Sequence, residues 1–560
     1  MMQRRILGLL VFFLIVTKCE GQDYPQNYFR NPLNIPMELV ANFGELRANH
    51  WHMGLDIRTQ QKQNLLVHAA TEGYIARVKI EPGGFGRAIY INHPNGYTTL
   101  YAHLNNFFPA LEQYVKAEQY ILESWQVELE ISPKLFPVDK GSFIAYSGNT
   151  GGSQGPHVHF EIRDTKTGEC LNPLLFGMPI IDNVPPTVSR LAMYDRARSV
   201  YQQSPRYLGL KKTGSIYNTG LIKLTSNKIS FAIGATDRFT NSGNGNGIYS
   251  ARLLLDGIPQ SEFVLDKIDY LETRYLNAQI DYRLKFNGGP YLQHLSCLPG
   301  DRSDVYTLTS DGVLRFDDDQ IHQVRIEVRD AKKNLSVVEF SIQYEPSAQT
   351  ASFVEVPDIL TPEHVNVFET ENFEIFTSEF TVYDTVNLTH TINNAAAANA
   401  ISPVNLFCSA AIPTHDSILV RIRPSTEVPV EDRDRVIIKS VAGTRTVVQK
   451  AGWQQEWLAA KFRQFGSFQA FIDNEPPTVN APPTDLSRAT RLVFNPKDNF
   501  KNIKRFRAEV DGQWLQFTND KGLAHIYTFD EKFPRGEHEL KIVVEDEAGN
   551  VTEKVWNVRR

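Results

Sequence analysis

Short runs in which apolar and polar residues alternate, broken by glycine, proline and asparagine, dominate the chain. Such period-two runs give a strand one face for a core and one for solvent. In the N-terminal part they are Leu65-Leu66-Val67, Gly73 to Val78, Ala88 to Ile91 and Tyr97 to His103. Pro82-Gly83-Gly84 separates the middle two runs. Asn95-Gly96 closes a hairpin before the last, because both residues tolerate positive φ. The pattern predicts a compact antiparallel β domain. Phe107 to Glu130 breaks the rhythm and reads as helical, with Leu111, Tyr114, Tyr120 and Ile121 among its apolar positions. It is expected to be a surface insertion, about residues 105–139, packed on the domain's side rather than walling a groove.

Beyond residue 180 the strand pattern continues and repeats itself. Ile181-Asp182-Asn183-Val184-Pro185-Pro186-Thr187-Val188 recurs as Ile472-Asp473-Asn474-Glu475-Pro476-Pro477-Thr478-Val479. The ends of the copies also match: Glu327-Val328-Arg329-Asp330 is followed by Asn334, and Val544-Glu545-Asp546 by Gly549-Asn550. An Asp at a strand end, a turn with Asn and a last strand have the look of bacterial immunoglobulin-like domains. Each Asn-x-Pro-Pro-Thr reads as a stiff joint, since proline fixes its own φ and restricts its predecessor. The expected organisation is a leader over 1–21, a first domain over 22–180, a β-sandwich over 181–345, a β-rich middle domain over 346–471 and a second β-sandwich over 472–560. The first sandwich is enlarged by insertions such as Asn241 to Gly247. In the middle domain, Val365 to Phe376, Ile418 to Ile422 and Arg433 to Ile438 are the expected strands, with Ala395 to Ala400 as a small connector. The fold class is therefore mainly β.

Charge and targeting signals narrow the setting. Arg4 and Arg5 precede the apolar run Ile6 to Val16, which is too short to span a bilayer. With Cys19-Glu20-Gly21 behind it, this is a secretory leader cleaved before Gln22. The rival reading is lipidation at Cys19, against which Lys18 is a poor fit to a lipobox. No later segment reads as a transmembrane helix, so the expected product is exported, to the periplasm or the cell surface. The net charge of −6 gives no reason to expect nucleic-acid binding. Cys170, Cys297 and Cys408 remain after cleavage, an odd number at long spacings, which argues against a disulfide framework and against cysteine metal ligands.

The chemistry concentrates in Gly155-Pro156-His157-Val158-His159-Phe160-Glu161. On a strand, His157 and His159 share a face while Val158 and Phe160 pack behind it. Far upstream, His52-Met53-Gly54-Leu55-Asp56 offers an imidazole and a carboxylate. His52, Asp56 and His159 together make two nitrogens and one oxygen with a fourth position open, the donor set of a catalytic zinc site. Between them lies Tyr101-Ala102-His103-Leu104, a histidine at a strand end.

In this order the blocks resemble the lysostaphin/LytM-type zinc metallopeptidases, which cut the peptide part of bacterial cell wall. Phe43-Gly44-Glu45-Leu46-Arg47 is similar to the family's lead-in, and Gly148-Asn149-Thr150-Gly151 precedes the His157-x-His159 block as it does there. The insertion departs from the pattern, since a minimal member reaches the next turn in fewer residues. The resemblance implies a groove over the sheet, one Zn2+ per chain held by His52, Asp56 and His159, and peptidoglycan peptides as substrate. By motif position His103 and His157 are the unliganded catalytic pair, their division of roles left open. Arg47 and Tyr101 are named as residues that line the groove or support the ligands, against the plainer reading that an aromatic before a strand end belongs to the core. His50, His68 and His93 fall outside the motif. Two other readings stay open: a non-catalytic relative that binds wall or an amidase partner, and a surface adhesin or assembly protein in which the β-sandwich domains meet a protein partner.

Overall fold

In the computed structural model, which describes residues 24–345, 358–394, 397–522 and 524–560, the alternating runs become strands. The leader and Cys19 lie outside these residues, as does part of the connector at 395–400. The main path of a ten-stranded antiparallel sheet runs Leu39–Ala41, Leu55–Arg58, His157–Asp164, Tyr97–Ala102, Arg87–Asn92, Gly73–Ile80 and Val127–Glu130. Alternation decides which side chains go where. Leu55, Ile57, Val158, Phe160 and Ile162 are all fully buried in the core beneath the sheet. Asp56, His157, His159 and Glu161 therefore face the opposite side. A small apolar cluster of Ala88, Tyr90, Leu100 and Ala102 floors that side.

The insertion differs from its expected form. A helix spans Pro109–Ile121, with Pro109 in the first turn, where its missing N–H costs nothing. Residues Val127–Glu130, expected to continue the helix, instead form a strand paired with Arg77 to Ile80. Val127 and Leu129 are buried and Glu128 and Glu130 exposed, so this stretch carries a period of two. The helix is not a free-standing flank. Lys116 pairs with Asp530 at 2.7 Å, Glu123 with Arg507 at 2.6 Å, and Tyr120 meets Trp514 edge-on. The C-terminal part of the chain thus docks on the insertion, largely through polar groups.

Residues 187–344 build a five-stranded and a seven-stranded sheet. One short strand leaves them: Lys267–Ile268 pairs with Cys170–Leu171 and so extends the N-terminal sheet. A continuous apolar core runs from Tyr24 to Ala470 across these units, whereas Leu486 to Val558 form a core of their own. In the middle region two five-stranded sheets contain Asn366–Glu369, Phe373–Thr377, Ile418–Ile422 and Val436–Ala442 among their strands. Arg433 to Arg435 lie in a 3-10 turn rather than in the expected strand. The last region has a four-stranded and a two-stranded sheet. The sequence repeat is a repeat of structure. Ser336 donates to the carbonyl of Pro186 as Thr552 does to that of Pro477, and the Asn334 and Asn550 amides donate to the Asp182 and Asp473 carbonyls.

Candidate active site

Strand register assembles the site. His159 lies opposite Asp56 on one neighbouring strand and opposite Ala102 on the other. His103 follows Ala102 directly, and its positive φ of 59° turns the chain at that point. His52 precedes the Asp56 strand. Gly54, between them, has no room for a side chain. A Cβ there would sit 2.5 Å from the Phe160 carbonyl oxygen and 3.0 Å from the His159 ring. Gly54→Ala is therefore expected to push the Asp56 strand away from His159. The cost is about 1–3 kcal/mol of stability together with weakened metal binding, read by chemical denaturation and by zinc titration.

Every imidazole is held by one nitrogen so that the other is free. His52 Nδ1 donates to the Asn42 carbonyl at 2.7 Å, and His159 Nε2 donates to Glu161 at 2.8 Å. These partners fix the tautomers and leave His52 Nε2 and His159 Nδ1 as lone pairs. Those two atoms lie 3.0 Å apart, and each lies within about 3 Å of Asp56 Oδ1, at 3.0 and 2.9 Å respectively. Three lone-pair atoms converging in this way repel one another unless a cation lies among them; without metal a proton takes that place, since, against burial, the hydrogen bonds to Asp56 and Glu161 push His159 up to about 9. A tetrahedral ion bound at about 2.0–2.1 Å separates its ligands by roughly 3.3 Å, so the triangle is close to the size zinc requires. Burial opposes charge on Asp56, but the three surrounding histidines hold its carboxyl well below the usual range. The expected ligands are thus brought together, and the residues fit the metal.

His103 and His157 face the same space, their ring centroids 4.7 Å apart. His103 Nδ1 donates to the Thr150 carbonyl at 2.8 Å, and His157 Nδ1 donates to that of Gly155 at 2.8 Å. Each presents Nε2 to the site, and that of His157 is 3.3 Å from Asp56 Oδ1. Burial, with the neighbouring imidazoles, pushes His103 down to about 3, so it stays neutral. Thr150 is pinned where the two loops at 82–86 and 149–155 meet. Its hydroxyl donates to the Leu104 carbonyl and accepts from Arg87 N, and Gly152 N donates to Gly84 O. The C-terminal region touches both loops. Asp520 accepts from Gly151 N at 2.8 Å, and Lys521 donates to the Pro82 and Ser153 carbonyls, each at 2.6 Å.

Arg47 borders the ligands, 3.4 Å from Asp56 and 3.2 Å from Glu45. Tyr101 does not line the groove. It is fully buried, and its hydroxyl accepts from Ala70 N at 2.7 Å, because its strand position points into the core. His68 and His93 are tied to Asn34 and to Glu72 and Thr99 respectively, and His50 is exposed.

Glu161 is the residue the sequence reading quoted without a role. It is fully buried, accepts from His159, and accepts from Tyr270 at 2.8 Å and Arg163 at 2.6 Å. Burial alone would raise its carboxyl; the Arg163 charge and the hydrogen bonds outweigh that and hold it down to about 2. Its spacing was the available signal, since residues 157, 159 and 161 share one strand face. Tyr270 comes from the following β region, over 100 residues away, and no local pattern announces it.

Two family models match the chain. Residues 50–136 match Peptidase family M23, and residues 357–473 match a Zu5-like domain. Over 166 residues the chain is 29% identical to an uncharacterized metalloprotease of Haemophilus influenzae, a match covering 29% of each protein. It is 32% identical over 129 residues to the DD-carboxypeptidase/endopeptidase Mpg of Neisseria meningitidis, covering 23% of this chain and 24% of that one. It is 25% identical over 179 residues to the peptidoglycan DD-endopeptidase ShyA of Vibrio cholerae, covering 30% of this chain and 35% of that one. The matches thus span only about a quarter to a third of these relatives. Among solved structures, the catalytic domain of the prophage-encoded M23 protein EnpA of Enterococcus faecalis matches 28% of this chain and 99% of its own at 20% identity, with a TM-score of 0.20.

Proposed function

Given that the chain carries a peptidase domain of the M23, LytM/lysostaphin type, we propose that it is an exported zinc endopeptidase that hydrolyses peptide bonds of peptidoglycan. The observation that carries this reading is the convergence of His52 Nε2, Asp56 Oδ1 and His159 Nδ1, each lone pair fixed from behind by a hydrogen bond or by strand register. Wall peptide as substrate rests on the relatives, one named a peptidoglycan DD-endopeptidase and another a DD-carboxypeptidase/endopeptidase. The β regions at 181–345, 346–471 and 472–560 are read as modules that position the peptidase, the first and last of them as immunoglobulin-like sandwiches. Among the described residues no helix is long and apolar enough to cross a membrane.

His52, Asp56 and His159 would hold one zinc ion. When bound, zinc supplies a Lewis acid and a nucleophile competent near pH 7. The rest is done by this chain's own side chains. His103, with Nδ1–H committed to the Thr150 carbonyl, is left with Nε2 as the acceptor for a proton during attack on the scissile carbonyl. His157, held by Gly155, presents the second nitrogen that orients the attacking group or steadies the oxyanion. Asn42 and Glu161 keep the ligand imidazoles in the correct tautomer. His103→Ala is expected to lower turnover by about 10²–10⁴-fold while zinc content stays at one per chain, as checked by kinetics beside metal analysis.

The test of the function is digestion of purified sacculi by the zinc-loaded mature protein. Release of soluble muropeptides, with mass spectrometry locating the new amine, supports the proposal. Binding to sacculi without release supports a non-catalytic wall-binding protein instead.

A further inference from the structure

Two carboxylate clusters, away from the hydrolytic site, stand at the Pro-Pro joints. Asp182, Asp237 and Asp330 each offer an oxygen, and these atoms lie within 4.8 Å of one another; Asp473, Asp498 and Asp546 do the same. In each set one aspartate comes from the joint itself. In the first, Asp237 follows the strand Lys228–Thr236 and Asp330 follows the strand Ile321–Arg329. In the second, Asp498 follows Arg491–Phe494 by a few residues, and Asp546 ends the strand Glu537–Asp546. The clusters therefore occupy corresponding places in the two copies of the repeat.

The first cluster is buried and short of compensation. Asp237 is only 2% exposed and its Oδ1 accepts no hydrogen bond; Asp182 is 8% exposed and its Oδ2 accepts none. Beside them Asn246, whose backbone exchanges two hydrogen bonds with that of Asp237, holds a further buried oxygen without a donor. Asp330 accepts from Asn334 N and Nδ2, and Asp182 Oδ1 from Val184 N, so the unmet carboxylate oxygens are Asp237 Oδ1 and Asp182 Oδ2. Burial, then the charges of Asp182 and Asp330, push the Asp237 carboxyl up to about 8. Buried carboxylates persist when paired or when they coordinate a metal.

We propose that Asp182, Asp237 and Asp330 bind a hard divalent cation of the calcium class; in the second cluster Asp473 and Asp546 already accept hydrogen bonds from Asn499, Gly549 and Asn550, and no site is assigned there. The donors are all oxygens, without the nitrogen or sulfur that selects zinc, and neighbouring carbonyls and water complete a shell of six to eight. The site ties a proline-stiffened joint to the ends of two strands of the module that follows. Cation binding thus fixes how the peptidase sits on the first β module.

The test uses the mature full chain, stripped of metal on a chelating resin and reloaded with one equivalent of zinc. Titration calorimetry with calcium chloride is expected to show at least one equivalent bound, and the thermal midpoint to rise with calcium. Asp237→Asn keeps the shape and removes one charge. It is expected to lower the calcium stoichiometry by one and to abolish most of the midpoint rise that calcium gives, while changing the calcium-free midpoint little. A residue with a purely structural hydrogen-bonding role would lower the midpoint equally in both buffers. The proposal is overturned if the folded wild-type chain takes up no calcium at millimolar concentration, or if Asp237→Asn leaves the stoichiometry unchanged.

Discussion

His159→Ala is expected to take wall hydrolysis below detection, a loss of more than about a thousandfold, with zinc falling from one per chain to none. The size of the effect follows from where the ring sits. Its Nδ1 is one corner of the ligand triangle, 2.9 Å from Asp56 and 3.0 Å from His52. Removing it leaves one imidazole and one carboxylate, too few protein ligands for a catalytic zinc site. The fold is expected to survive. The strand's core contribution comes from Val158, Phe160 and Ile162 on the opposite face, all fully buried and untouched by the change. Muropeptide release, atomic absorption and circular dichroism on the same preparation check the three parts together.

Glu161→Ala is expected to act on stability first, with a loss of about 3–5 kcal/mol. The carboxylate is completely buried and is the partner of Arg163, itself mostly buried against the rings of Tyr270 and Tyr90. Truncation strands that guanidinium in a site with little water. It also leaves the His159 Nε2–H and the Tyr270 hydroxyl without their acceptor. Glu161→Gln keeps one oxygen and is expected to cost less, though it sets an amide donor in a space already crowded with donors. Urea unfolding separates the cases. A midpoint for Glu161→Ala equal to that of the wild type would show that the buried pair contributes nothing.

The site was largely legible because its residues obey short-range periodicity. His157, His159 and Glu161 alternate with Val158 and Phe160, so one strand settles both what is buried and what is displayed. Gly54 entered only as part of the His52-x-Gly54-x-Asp56 motif; the structure gives its reason, since the Phe160 carbonyl fills the space where a Cβ would sit. What escaped the sequence depends on partners far along the chain. The stretch Val127 to Glu130 alternates like a strand, but only the open edge of Gly73–Ile80 makes it one. Lys267–Ile268 joins the N-terminal sheet through Cys170–Leu171, and Tyr270 follows it to Glu161. Both contacts depend on how two regions pack, which no local pattern encodes. Tyr101 shows the converse: its motif position suggested the groove, while its place on an alternating strand sends it into the core.

The proposed hydrolysis depends on a single ion shared by His52, Asp56 and His159. Anomalous diffraction at the zinc edge, on crystals of the full mature chain grown with zinc, tests that directly. One strong peak about 2 Å from His52 Nε2, Asp56 Oδ1 and His159 Nδ1 is the predicted result. A metal peak elsewhere, or none at this triangle with the chain folded and zinc present, would contradict it.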